Sequence, residues 1–295
     1  MVLNNVLLFL FCSLVWGSTW FAITLQLGVV DSMWSVCYRF TLATALLGGF
    51  CLFRGISLPF SFRQHQRLFF QGICLCGLSY WLVYESEKHI SSGLSAIVCT
   101  TILYFNVVIG HFWLGNPVRR SVISGGILGS IGIAMIFFPG IDLEDSPRET
   151  ALGLLLSLVA AVLFSLGAVT CEKNAREQMA MLPCVTMNMF YGALFLGVLA
   201  AGRGVTPEFE FSVGYGLSLL YLSLFGSIAA MTSYVQLINR IGADRTAYVD
   251  MVYPVIALGF STIFEGYQWT LFGVAGVVVI LIGNLLAMGK LGYSD

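Results

Sequence analysis

The chain has 295 residues, of which 58% are hydrophobic and 10% charged, with a formal net charge of −1. Soluble domains carry about 25% charged residues, so a water-soluble protein this apolar could not cover its own surface; the solvent that suits it is lipid. The near-neutral balance also excludes the basic surface that nucleic-acid binding demands.

In chain order, ten stretches approach the roughly 20 apolar residues that cross a bilayer: 6–30, 32–53, 68–86, 90–114, 121–141, 151–171, 179–202, 211–238, 246–264 and 267–289. Residues 6–16 look like the hydrophobic part of a secretion signal. No positive charge precedes them and the apolar run continues to Val30, so they read as the first span. The runs are apolar all round and about twice the length of alternating barrel strands, so helices are the way to pair every backbone group in hydrocarbon. Formal charge inside the runs is confined to Arg39, Asp250 and, near one end, Glu85. Turn formers and charges collect in the breaks from Arg54 to Arg67, Asn116 to Arg120, Asp142 to Glu149 and Arg203 to Glu210.

Lysine and arginine set the orientation. With a cytoplasmic N-terminus, the inner loops hold Arg54, Arg63, Arg67, Arg119, Arg120, Lys173, Arg176, Arg240, Arg245 and Lys290, against Lys88, Arg148 and Arg203 outside. This bias predicts a multi-pass protein of the inner (plasma) membrane with both termini in the cytoplasm. The eight cysteines fall inside apolar runs, where they act as small hydrophobes. Cys74-x-Cys76 has no second pair at ligand spacing, and His65, His89 and His111 are scattered, so neither a metal nor a cofactor is expected. The chain lacks the G-x-x-x-x-G-K-S/T loop of ATP-driven machines and the H-E-x-x-H and G-x-S-x-G hydrolase motifs.

An offset of 149 residues lays Gly93 on Gly242 and Tyr104 on Tyr253, each in a similar frame of turn, apolar helix and hinge. Five spans per half is an odd number, so the second half enters the membrane from the opposite side. The expected fold is an all-α integral membrane protein with ten transmembrane helices as two inverted five-helix repeats. Residues 1–141 form the first repeat, 142–150 an extracytoplasmic linker, 151–289 the second repeat and 290–295 a cytoplasmic tail.

The segments "LVWGSTWFAI" at 14–23, "CYRFTLATALL" around Arg39, "RIGADRTAYVDMVYPVIALGFSTIFEGYQWT" at 240–270 and "GVAGVVVILIGNLL" at 273–286 carry a family resemblance. Over nearly its whole length the chain resembles the drug/metabolite transporter superfamily, EamA type. Pro254 and Glu265 match the proline and terminal glutamate of that family's ninth helix. Phe105 and Asn116 stand where the first repeat often carries proline and glutamate. The resemblance implies a central cavity lined from both halves, peripheral fifth and tenth helices, alternating access and, in bacteria, mostly export of amino acids or related metabolites.

Candidate site residues are polar or aromatic groups within spans. Arg39 and Asp250 are costly in lipid and so face protein or water. Arg39 offers a fork for a carboxylate or phosphate, or pairs structurally, for example with Glu85. Asp250 binds a cationic amine or a proton, or pairs with Arg245. Trp16, Ser18, Tyr80, Tyr84, Thr101, Tyr104, Ser165, Tyr234 and Tyr253 are candidates to line the substrate cavity. Tyr104 and Tyr253 are expected to approach each other across the pseudo-twofold axis. Plain packing, helix–helix hydrogen bonding and an interfacial aromatic belt are the structural alternatives for this set. Glu85, Glu87 and Glu265 are expected to be solvated or helix-capping. Gly125, Gly129, Gly132, Gly273, Gly276 and Gly283 would let spans five and ten pack closely, within a repeat or across a dimer. The expected function is secondary transport of a small-molecule substrate, most simply export of an amino acid or amine-bearing compound, by a monomer or homodimer in the lipid bilayer. H⁺ is the candidate coupling ion. A multidrug or uptake carrier of the same fold is an alternative, and a lipid-modifying membrane enzyme is an alternative of another class.

Overall fold

The computed structural model of the protein describes residues 2–118, 120–137, 147–246 and 248–288. Arg119, most of the acidic linker (Asp142, Glu144 and Asp145 included) and the tail at 290–295 lie outside the described residues. Every regular element among the described residues is a helix. In chain order they are α1 (Val2–Thr24), α2 (Ser32–Phe53), α3 (Phe62–Ser86), α4 (Ser92–Leu114), α5 (Arg120–Phe137), α6 (Pro147–Arg176), α7 (Met181–Gly202) and α8 (Val213–Ile241). A single turn, Ala243–Thr246, then precedes α9 (Val249–Phe264) and α10 (Leu271–Met288).

Seven helices, α1–α4 and α6–α8, are long and apolar enough to cross a membrane. The stretches Ile123–Gly132 of α5, Val252–Phe264 of α9 and Leu271–Gly283 of α10 are shorter apolar helices. Among the described residues, seven helices therefore reach spanning length, and α5, α9 and α10 carry shorter apolar stretches. α8 ends at Gly242, which adopts φ 87, a conformation that glycine takes without a Cβ penalty. α6 runs longer than expected, since Lys173 and Arg176 continue the helix, where their charge suits its C-terminal end.

Side chains in the breaks cap the starts of the helices. Asp31 accepts from Met33 N at 2.8 Å at the start of α2, and Ser61 and Gln64 form a reciprocal capping box at the start of α3. Ser91 and Ser212 accept from the third residue of α4 and α8. Each satisfies a backbone N–H that the helix leaves without a partner.

The packing follows a pattern. α1 lies against α9 and α8, α6 against α4 and α3, α2 against α7, and α5 against α10. The α5–α10 contact is backbone to backbone: a Cβ on Gly132 would lie 2.6 Å from Gly276 O, and one on Gly283 would lie 2.7 Å from Gly125 O. The glycine stripes therefore join one helix from each half of the chain, which corrects the expectation of packing within a repeat or across a dimer. Two helices widen into π-turns, α3 at Ile73–Leu78 and α8 at Leu222–Ala229. Their first residues are 149 positions apart, the same offset that relates Tyr104 to Tyr253.

Candidate solute-binding cavity

The local sequence Trp16-Gly17-Ser18-Thr19-Trp20 distributes its side chains around α1. Gly17 faces α9 so closely that a Cβ would sit 2.6 Å from Ile256 Cβ and 3.1 Å from Tyr253 O. That approach brings Trp16 and, one turn on, Trp20 against Tyr253, with ring centroids 6.2 and 5.7 Å away. The Trp16 indole N–H donates to Gly226 O at 3.0 Å, so the ring is fixed by the π-turn of α8.

These rings form one wall of a cavity of about 60 Å³. Its lining comes from α1, α3, α4, α6 and α9, with Thr19, Ser79, Tyr80, Phe164 and Asp250 among the contributors. No described residue of α5 or α10 lines it. Ile23 and Val83, which also line it, lie within a turn of the ends of α1 and α3, so the cavity reaches toward the face that carries the 25–31 and 87–91 connections.

Asp250 is 1% exposed. Tyr234 donates its hydroxyl to Oδ2 at 3.1 Å, while Oδ1 has no hydrogen-bond partner among the described residues. Tyr234 in turn packs 4.7 Å from Trp16, centroid to centroid. Arg245 does not pair with Asp250; the partner is a phenol from the neighbouring helix α8. Arg39 is also 1% exposed. Its Nε donates to Ser227 Oγ at 2.8 Å, and its guanidinium lies 4.7 Å from the Tyr80 ring centroid. The suggested Arg39–Glu85 pair does not form: Glu85 accepts from Lys88 at 2.9 Å and from Trp81 at 3.2 Å.

Of the residues singled out from sequence, Trp16, Tyr80, Asp250 and Tyr253 meet at the cavity, and Tyr234 supports it from behind. Others turn elsewhere. Tyr104 points to α5 and donates to Gly125 O at 2.9 Å, so it does not approach Tyr253 across an axis. Tyr84 donates to Gln26 Oε1 at 2.7 Å, and Ser18 shares a 2.6 Å hydrogen bond with Tyr221. Thr101 bonds back to Val98 O, and Ser165 reaches Ile102 O. A polar group in an apolar bundle takes a near acceptor, and these five side chains are bonded to other helices or to their own backbone rather than lining the cavity. Trp20, Thr19, Ser79 and Phe164 line it although the sequence had not marked them as site residues. Trp20 is legible as the i+4 neighbour of Trp16 and Thr19 as a polar residue inside a span; Ser79 and Phe164 carry no signal.

At the opposite helix ends, polar contacts join α4, α6 and the turn that follows α8. Glu172 Oε2 accepts from Ala243 N at 2.9 Å, and Arg176 bridges Glu172 Oε1 at 2.6 Å and Asn116 Oδ1 at 2.7 Å. At the cavity's own end, Glu265 accepts from Ser92 N at 3.0 Å and from the Ser92 hydroxyl, capping α4. Glu87 departs from its expected solvated role: it is 9% exposed, and neither carboxylate oxygen has a partner among the described residues. Those residues contain no group of three or more metal-ligating side chains that could hold an ion.

An apolar helical bundle around an internal cavity is the kind of architecture a membrane transporter requires. The EamA-like transporter family matches residues 3–138 and again 151–289, and the chain belongs to that family. It is 28% identical over 286 residues to the uncharacterized inner membrane transporter YedA of Escherichia coli (strain K12), covering 94% of this chain and 90% of that one. It is 24% identical over 292 residues to protein PagO of Salmonella typhimurium (strain LT2), covering 96% and 92%. The uncharacterized transporter YoaV of Bacillus subtilis (strain 168) is 23% identical over 286 residues, with 92% of each chain covered. A solved crystal structure superposes with a TM-score of 0.71 over 98% of this chain and 99% of its own at 16% identity, a likeness of fold.

Proposed function

We propose that this transporter exports an amino acid or other amine-bearing metabolite across the inner membrane by alternating access, with both termini in the cytoplasm. The observation that carries the substrate class is Asp250, a carboxylate with one oxygen that no described residue binds, set in a box of aromatic rings. An ammonium group is drawn both to a carboxylate and to the faces of Trp and Tyr rings, and the low dielectric of the site strengthens both attractions.

The ten helices are assigned as ten crossings in two inverted repeats. Three features support this: two successive family matches, the π-turns of α3 and α8 at a common offset, and a packing pattern that survives exchange of the halves. Under that exchange α1–α9 becomes α6–α4, and α2–α7 and α5–α10 map onto themselves. The Glu172–Arg176–Asn116 latch then closes the cytoplasmic side while the cavity faces outward. The candidate coupling ion is a proton on Asp250, faced by Tyr234 and Tyr253 and near Cys12 and Cys99.

The test uses purified protein in liposomes and labelled amino acids and amines. Asp250→Asn should reduce flux at least about tenfold, the scale of one charge-assisted hydrogen bond lost, and should flatten its pH dependence. Wild-type flux in both the protein and the variant would remove Asp250 from the mechanism.

A further inference from the structure

A second cavity, of about 130 Å³, lies among α4, α9 and α10, and no residue lines both it and the solute cavity. It exists because α10 is held mainly from one side. Against α5 the helix touches backbone to backbone; against α4 and α9 it makes no comparable contact among the described residues. Ile97, Leu258 and Ile280, each 2–3% exposed, form the inner wall of the space left between them. Val255 and Gly259, one turn apart on α9, are its exposed rim. A Cβ on Gly259 would meet nothing within 4 Å.

Water is a poor occupant. A buried water needs two to four polar partners. The lining side chains offer the Thr100 hydroxyl and the Trp269 indole N–H, and the indole already donates to Thr262 Oγ1 at 3.1 Å. An apolar cavity of about 150 Å³ stays dry and takes up benzene, so this one accepts a short run of hydrocarbon. Its rim belongs to the apolar stretch Val252–Phe264, whose surroundings in a bilayer are acyl chains.

The depth of the cavity fits one leaflet. Trp269 stands at one end, in the 265–270 connection between α9 and α10, where an amphipathic ring sits at headgroup level. From there the lining runs along α10 as far as Leu281. At 1.5 Å per residue from Leu271, that is about 15 Å, half of a hydrocarbon core of about 30 Å. Ile97 and Thr100 lie in the first half of α4, which starts at the same side.

We propose that this cavity is a lipid site, filled by an acyl chain of a phospholipid from the leaflet that the 265–270 connection faces. The chain lies against Pro254 and Val255, next to Tyr253, which lines the solute cavity. The lipid thus backs α9 behind the solute cavity, whatever solute that cavity takes.

The experiment places the protein in vesicles of phosphatidylethanolamine and phosphatidylglycerol, doped with a phospholipid that carries a diazirine along one acyl chain. After illumination, mass spectrometry locates the labelled residues. Label should appear on the inner wall, at Ile97, Leu258 or Ile280, as well as on exposed positions such as Val278 and Ile282. Gly259→Leu and Val277→Phe fill the space from opposite walls; each should lose the inner label and keep the label at Val278 and Ile282. Label confined to exposed positions of the wild type overturns the site, and that result stands even if a variant does not fold. Inner label that persists in both variants also overturns it. A free fatty acid with the same diazirine is the second arm: inner label from it, and none from the phospholipid, would make the occupant a free ligand and overturn the lipid assignment.

Discussion

Glu87 shows how placement changes the behaviour of a residue whose type suggests a surface role. It follows α3 directly, at the end where the 87–91 connection turns, yet it is buried without a hydrogen-bond partner among the described residues. Burial, and after it the charge of Glu265, push its carboxyl well above the usual range. A folded-state pKa above the unfolded value means that the native state holds the proton more tightly. The stability this gives is complete below the unfolded pKa and is lost as pH rises toward the folded one. Glu87→Gln removes that loss. The variant should melt close to wild type near pH 4 and a few degrees higher near pH 8. Equal melting curves at both pH values would show that Glu87 is solvated after all. Asp250 and Arg39 illustrate the same lesson from the other side. Their types and their place in apolar runs marked them as exceptional in the sequence, but only the fold brings Tyr234 to one and Ser227 to the other.

At the scale of elements, the first repeat lacks the glutamate that the family resemblance leads one to expect at position 116. The structure accounts for the change. Glu172, from α6, accepts the backbone N–H of Ala243, and Arg176 holds Asn116 beside it. The helix end keeps an anionic acceptor, supplied by a different helix. Glycine placement is the second determinant here. Gly132 and Gly283 allow α5 and α10 to touch along their backbones, whereas a Cβ on Gly216 of α8 would meet nothing within 4 Å. Gly283→Leu should therefore cost about 1–3 kcal/mol or more through overpacking. Gly216→Ala should be neutral or stabilise by about 0.5–1 kcal/mol through helix propensity. Melting temperatures in detergent compare the two, and a Gly283→Leu variant as stable as wild type would mean that the α5–α10 contact opens freely.

At the scale of the molecule, the proposed orientation can be checked with a reagent that does not cross membranes. All eight native thiols are buried, so background labelling by an impermeant maleimide should be low. In intact cells Lys88→Cys should label, and Arg54→Cys should label only after the membrane is broken; the reverse result would invert the topology. What the sequence determined by itself was the solvent, the helical backbone and the family. A low charge content and long apolar runs leave no other stable structure in hydrocarbon, and the motifs around Trp16, Arg39 and Pro254 are contiguous in the chain. The tertiary structure alone decided which polar side chains share a space. Tyr104 and Tyr253 look alike at matched positions, yet one is held by α5 and the other faces the cavity. A side chain's direction around a helix is fixed by its neighbours' shapes, and in helices that are apolar on every face the pattern of residues carries no record of which side is inward.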